Sequence, residues 1–282
     1  MLLTAESLVN QSLELVSAPT TYTQLSSLIE DENASLEDLS EVITTDPALT
    51  TRILKVVNSP YYGFPSQVTT ISRAINIVGT DQLIQLVLAT SVINSFKGIP
   101  ADLIDMNAFW RHSVACAIAA DLIAKQCRLA RSEVFFTAGL LHNIGSLVLY
   151  QSLPELAREA ITSAKFGHET IQHAEARIIG FDHCMAGEAL TRKWRLPNTL
   201  NEVTRFHHTP SQAEQFILEV SIVHLADIVV SSADEFGHSG DNHVPPLDPK
   251  AWELLTIEPQ ALPDILQQVI EKIDDLTSAL TA

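Results

Sequence analysis

The chain has 282 residues, with 34 acidic side chains against 17 basic ones and a formal net charge of −17. That balance argues against a broad nucleic-acid or anionic-membrane surface, because both depend on Lys and Arg meeting phosphate. Hydrophobic residues make up 46%, ample for the cores of one large domain or two modest ones.

Periodicity is helical almost everywhere, no strand is recognisable, and the expected fold class is all-α. Leu3–Val16 is a first helix, ended by Ala18-Pro19, and Thr23–Glu30 a second. Ser35 with Asp38 forms a capping box that opens a third. Asp46-Pro47 is a strong start signal for the next, which stops at Asn58-Ser59-Pro60. Tyr61-Tyr62-Gly63-Phe64-Pro65 is an aromatic turn. Ile71–Val78 and Asp81–Phe96 are helices separated by Gly79. Gly98–Asp105, with Pro100, is a candidate boundary, so that 1–100 forms an N-terminal helical lobe.

Asn107–Cys127 is a long helix containing His112. Ser132 caps a buried helix that ends at His142-Asn143, and a second apolar run follows Gly145. Pro154–Lys165, Thr170–Ile179, Asp182–Arg195 and Pro197–His208 come next. Gln212–Ser232 is strongly apolar yet contains His224 and Asp227. These elements make a second lobe over 101–235. A polar loop, Glu235–Pro249, and an amphipathic helix, Pro263–Leu280, complete the chain over 236–282. No run of about 18 apolar residues is recognised, so no transmembrane helix is expected. Residues 1–20 lack the pattern of a secretory signal. Cys116, Cys127 and Cys184 form no CxxC pair; they fit reduced thiols of a cytoplasmic protein and are taken as small core residues.

His142-Asn143 lies between apolar runs and needs partners, since an unpaired buried polar group costs roughly 1–3 kcal/mol. Candidates are His112, His183, His207, His208 and Asp227. Asp227 sits in a segment too apolar for a lone carboxylate and calls for a cation or several donors. Imidazole nitrogens and carboxylate oxygens converging from facing helices suit a divalent metal. They also suit a hydrogen-bonded set with no metal, in which Asp227 accepts from His112 or His142. His168, His173, His238 and His243 are expected at the surface, His224 as an ordinary helix histidine and Glu175 as solvated. Trp110 and Trp194 are expected in packing, and Arg192-Lys193-Trp194-Arg195 is the most basic local patch.

The order H…HN…D resembles the HD superfamily of metal-dependent phosphohydrolases, which has H…HD…D. DPALTTRILKVVNSPYYG (46–63), ISRAINIVG (71–79), FWRHSVACAIAADLIA (109–124), FTAGLLHNIG (136–145), EARIIGFDHCMAGEALTRKWRLP (175–197) and RFHHTP (205–210) resemble HDOD domains. These are HD relatives of bacterial signalling proteins, and the likeness spans about residues 20–230. The resemblance implies an HD-like helical bundle with a smaller N-terminal lobe. It places metal-site roles on His112, His142, Asn143 and Asp227, and further ones on His183 and one of His207 or His208. Asn143 departs from the family's aspartate: an amide keeps one oxygen and loses the charge. The site is therefore expected to hold no cofactor or one divalent ion (Fe, Mn, Mg or Zn) weakly. No Gly-Tyr-Pro follows His208, so hydrolysis of cyclic di-GMP is not carried over.

Two functions follow. The first is a regulatory module binding a signalling protein in trans, without nucleic acid or membrane and without turnover. The alternative is a metal-dependent phosphohydrolase acting on a nucleotide or other phosphate ester, for which Arg111 and Arg205 are the nearby candidates to meet phosphate.

Overall fold

A computed structural model describes residues 3–11, 19–31, 33–96, 98–129, 132–167, 169–233, 236 and 243–281, apart from the side chains of 132 and 133. Among these residues there are sixteen α-helices and no strand. The all-α expectation holds. The chain divides into two compact units, Ser17–Ser95 with Ile270–Ala282, and Met1–Val16 with Phe96–Val269.

The first helix, α1 (Ala5–Gln11), begins two residues later than expected and packs on a helix of the histidine-bearing unit rather than in an N-terminal lobe. The expected end at Ala18 lies outside the described residues. The smaller unit contains α2 (Thr20–Ile29), α3 (Leu36–Thr44), α4 (Pro47–Val57), α5 (Ile71–Val78) and α6 (Thr80–Ile93). Its boundaries follow local chemistry. Ser35 and Asp38 form the capping box, each serving the other's backbone N–H. The Asp46 carboxylate accepts from the N–H groups of Ala48 and Leu49, with Pro47 at the first helical position.

Asn58 does more than stop a helix. Its Oδ1 accepts from Val68 N at 2.7 Å, and its Nδ2 donates to Val68 O at 2.8 Å and Leu54 O at 2.7 Å. One side chain thus closes the aromatic loop, in which Tyr61 and Tyr62 meet edge-on and Phe64 stacks on Tyr62. Gly79, at φ +91°, lets α5 and α6 turn by 119° with no intervening loop.

The larger unit continues with α7 (Met106–Gln126), α8 (Ser132–Leu141), α9 (Ile144–Ser152), α10 (Pro154–Gly167), α11 (Ile171–Ile178), α12 (His183–Lys193), α13 (Asn198–Phe206), α14 (Ile217–Ser231) and α15 (Pro249–Leu254). The last helix, α16 (Ala261–Thr281), has the division between units inside it, between Val269 and Ile270. Whether Ser132 caps α8 through its side chain lies outside the described residues. Trp110 and Trp194 are both buried in packing, as expected.

Val134–Ser152 is, contrary to expectation, long and apolar enough to cross a membrane, but 89% of it is buried inside the protein. It is a central apolar segment of the larger unit, α8 and α9 end to end, interrupted by the turn at His142-Asn143. Two glycines let that segment approach its neighbours. A Cβ on Gly139 would lie 2.6 Å from the carbonyl oxygen of Cys116 on α7. One on Gly145 would overlap the carbonyl oxygen of His183 and the backbone of Gly187 on α12. The missing side chains bring α7 and α12 to either side of the polar pair.

Candidate functional site

The larger unit assembles a polar set whose first and last members stand 115 positions apart in the chain. His112 and Cys116 share one face of α7, four residues apart. His142 and Asn143 fill the turn between α8 and α9, and His183 and Cys184 open α12. His207 and His208 follow α13, and Asp227 lies in the middle of α14. All are buried except His208, which keeps part of its surface open.

The geometry falls into two groups. In the first, Nε2 of His112 is 3.1 Å and Nε2 of His142 is 3.9 Å from Oδ1 of Asp227. Ser231, one turn further along α14, donates to the same oxygen at 3.2 Å. The thiol of Cys116 lies 3.5 Å from Nε2 of His112 and 4.0 Å from Oδ1 of Asp227. In the second group, Nε2 of His183 and Nε2 of His208 are 3.2 Å apart. The thiol of Cys184 is 3.9 Å from Nε2 of His207.

Tautomers are set from behind. His142 donates from Nδ1 to the carbonyl of Gly139 at 2.6 Å, which leaves Nε2 with a lone pair and no hydrogen-bond partner. His183 donates from Nδ1 to Glu175 at 2.6 Å, and the same carboxylate oxygen accepts from the His183 backbone at 2.8 Å. His207 directs Nδ1 to the carbonyls of Val203 and Thr204. An Nδ1 held by a carbonyl or carboxylate, with Nε2 facing inward, is the arrangement that metal-binding histidines use. The 3.2 Å between the nitrogens of His183 and His208 agrees as well. Two ligands about 2.1 Å from one ion lie about 3.0–3.4 Å apart. The donor set therefore fits a divalent transition ion.

Burial dominates the electrostatics. It pushes His142 down to about 4, only partly opposed by Asp227. Burial and the neighbouring His183 take His208 down to about 3, and burial with His208 holds His207 well below its usual value. Burial opposes charge on His183 too, but Cys184 and the Glu175 carboxylate outweigh it and raise that imidazole. For Asp227, burial is outweighed by the His112 hydrogen bond and the surrounding imidazoles, so it stays anionic far below the usual carboxylate range. Burial and Asp227 raise the Cys116 thiol.

Several readings change with the geometry. Glu175 is 1% exposed and anchors His183, so it is not solvated. It lies on the inward stripe of α11 with Ile171 and Ala174, a carboxylate in an apolar pattern and therefore visible in principle. Cys116 and Cys184 are buried as expected but stand among the donors rather than in apolar packing, and Cys127 is only half-buried at the end of α7. His224 joins the end of α13 to the closing loop: its Nδ1 donates to His207 O at 2.7 Å and its Nε2 accepts from Asp248 N at 3.0 Å. Both of its nitrogens are thus occupied. His243 is half-buried and lines the central cavity, whereas His173 is exposed. His168 and His238 lie outside the described residues.

The cavity between the groups measures about 20 Å³, room for one water or ion. His112, Asn143, Ser146, His183, His208 and Asp227 form its wall, and His243 and Pro245 lie across it. A second hollow of about 130 Å³, outside His208, is bounded by Thr170, Gln172, His173, Thr209, Pro245 and Pro246. Among the described residues, neither wall contains an arginine or lysine. Arg205 pairs instead with Glu188 at 3.3 Å, and Arg111, partly exposed on α7, lines neither hollow.

An all-helical protein with histidines from four elements around one buried aspartate is of the HD type. The sequence signature of the HDOD domain matches residues 15–210, and the chain belongs to that family. Solved structures share the fold. A protein from Shewanella amazonensis SB2B, provisionally named a phosphohydrolase, superposes with a TM-score of 0.77 at 22% identity, covering 97% of this chain and 98% of that one. An HDOD domain protein of unknown function from Geobacter sulfurreducens gives 0.75 at 20% identity, covering 98% and 96%. A protein from Marinobacter aquaeolei VT8, provisionally named for signal transduction, gives 0.75 at 18% identity, covering 96% of this chain and 61% of that one. An uncharacterised protein of Treponema pallidum is 26% identical over 236 residues, 82% of this chain. The chain spans about half of that relative, 45% of its length.

Proposed function

We propose that this chain is a regulatory HDOD module that acts by binding a signalling protein in trans and does not turn over phosphate esters. The size and lining of the cavities carry this reading. A space of about 20 Å³ admits an ion but not a phosphate ester. The adjoining hollow, at about 130 Å³, is close to benzene-sized and too small for a nucleotide. Phosphoryl chemistry relies on cationic groups to offset developing charge, and the described residues of neither wall supply Lys or Arg. Asn143 adds no charge to help hold paired ions. The −17 balance supports a protein partner rather than nucleic acid or an anionic membrane. The three free cysteines support a reducing, cytoplasmic setting.

The three inward-facing, tautomer-locked imidazoles favour one second reading, metal-dependent phosphate-ester hydrolysis. The test is to purify the protein without chelator, measure its metal content, and assay generic phosphoesterase substrates with manganese, iron or magnesium. A parallel pull-down from native lysate seeks the partner. The expected result is a captured signalling protein and no turnover. Turnover that disappears in His142→Ala would reverse the order of the two readings.

A further inference from the structure

The cluster contains a potential anion that the H…HN…D pattern does not include. Cys116 stands one helical turn after His112, its thiol 3.5 Å from His112 Nε2 and 4.0 Å from Asp227 Oδ1. With His142 Nε2, these four donor atoms all lie within 4.8 Å of one another, and all four side chains are buried. A tetrahedral ion with bonds of about 2.0–2.3 Å sets its ligands about 3.3–3.8 Å apart. The observed separations of 3.1, 3.5, 3.9 and 4.0 Å straddle that range. An independent feature points to the same place: His142 Nε2 is buried, faces Asp227 and has no hydrogen-bond partner.

We propose that Cys116 is a metal ligand whose thiolate supplies the negative charge that Asn143 withholds, so that His112, Cys116, His142 and Asp227 form a four-coordinate site for a thiophilic divalent ion. Zinc or ferrous iron fits this set, and magnesium does not, because magnesium keeps oxygen ligands and octahedral geometry. The charge count supports the assignment. Two neutral imidazoles, one carboxylate and one thiolate together offset a doubly charged ion, whereas the amide of Asn143 in place of the thiolate leaves one positive charge uncompensated. An uncompensated charge in a buried site is strongly disfavoured. Binding replaces the S–H bond with a sulfur–metal bond and releases that proton to solvent. His112, which now donates from Nε2 to Asp227, moves its proton to Nδ1, a nitrogen with no hydrogen-bond partner.

The inference rests on the spacing of these four donors, two of which, Cys116 and His142, do not line the central cavity, and its test is separate from that of turnover. Cobalt(II) is titrated into the full-length Cys127→Ser/Cys184→Ser protein, in which Cys116 is the one thiol. A sulfur-to-cobalt charge-transfer band in the near ultraviolet is expected, with zinc displacing the cobalt. Cys116→Ser in the otherwise unchanged chain should bind cobalt at least about tenfold more weakly, the scale on which even outer contacts act. Thermal melts establish that each variant is folded. Should Cys116→Ser fail to fold, the band in the single-thiol protein decides alone. Should the double variant fail to fold, Cys184→Ser is compared with Cys116→Ser: the band is expected to survive in the first and vanish in the second. Cobalt bound without that band, or no cobalt bound, overturns the assignment. Phosphoesterase turnover with the band present would overturn the regulatory reading and leave this one standing.

Discussion

Asn143→Asp adds a carboxylate to the wall of the central cavity. With the site empty, the added charge sits near Asp227 and should lower stability; with a divalent ion present, it should tighten binding. Calorimetry is expected to show at least about a tenfold gain in zinc or manganese affinity, and an unchanged isotherm would mean that the pocket lacks more than one ligand. Glu175 serves two donors of His183 at once, so Glu175→Ala strands both. A loss of about 1–3 kcal/mol in urea unfolding is expected, and a loss below about 0.5 kcal/mol would show that water replaces the carboxylate. The histidines and Asp227 were recognisable from their order along the chain. Cys116 was not, although its spacing from His112 was plain, because spacing places two residues on one helix face without saying what that face meets.

At the scale of elements, most boundaries followed from short-range chemistry. The Ser35–Asp38 box, the Asp46-Pro47 start and the Gly79 corner act within a few residues, so the sequence displays them whole. The six-residue α15 was not anticipated, since its start signal, Asp248 before Pro249, stands in a segment otherwise rich in loop residues. Helix spacing around the site was equally hidden. Gly139 and Gly145 resemble ordinary glycines of an apolar run, yet each is a point where another backbone touches. Gly139→Ala is expected to lower stability by about 1–3 kcal/mol, the usual scale of overpacking. Gly145→Ala should cost more, because its Cβ meets backbone on α12 that cannot rotate away. Denaturant midpoints measure both, and equal midpoints for wild type and Gly145→Ala would contradict the close approach.

For the whole molecule, the buried imidazoles make stability depend on pH. His142, His207 and His208 are held neutral, with folded values below the unfolded value of about 6.5. Below that pH the unfolded chain binds more protons. Stability is therefore present above about pH 6.5 and is lost as pH falls toward about 4 for His142 and about 3 for His208. Each such histidine contributes a slope of about 1.4 kcal/mol per pH unit over its window. His183 has the opposite sign: its contribution is complete below about pH 6.5 and is lost as pH rises through its raised value. The metal-free protein should thus show steep acid destabilisation in melts from about pH 7 to about pH 4, and a flat profile there would mean that the histidines are not buried neutral.

The helical class, most helix limits, the family and the ordered set of histidines with Asp227 could all be read from the chain unfolded on the page, because each is written in local spacing or in motif order. Packing was needed to show that the set divides into two groups and that Glu175 and two cysteines join it. Packing also turned Arg205 to Glu188 and left the central space ion-sized. Those outcomes depend on which helix faces meet and how closely their backbones approach, and such distances arise only when segments far apart in the chain come together.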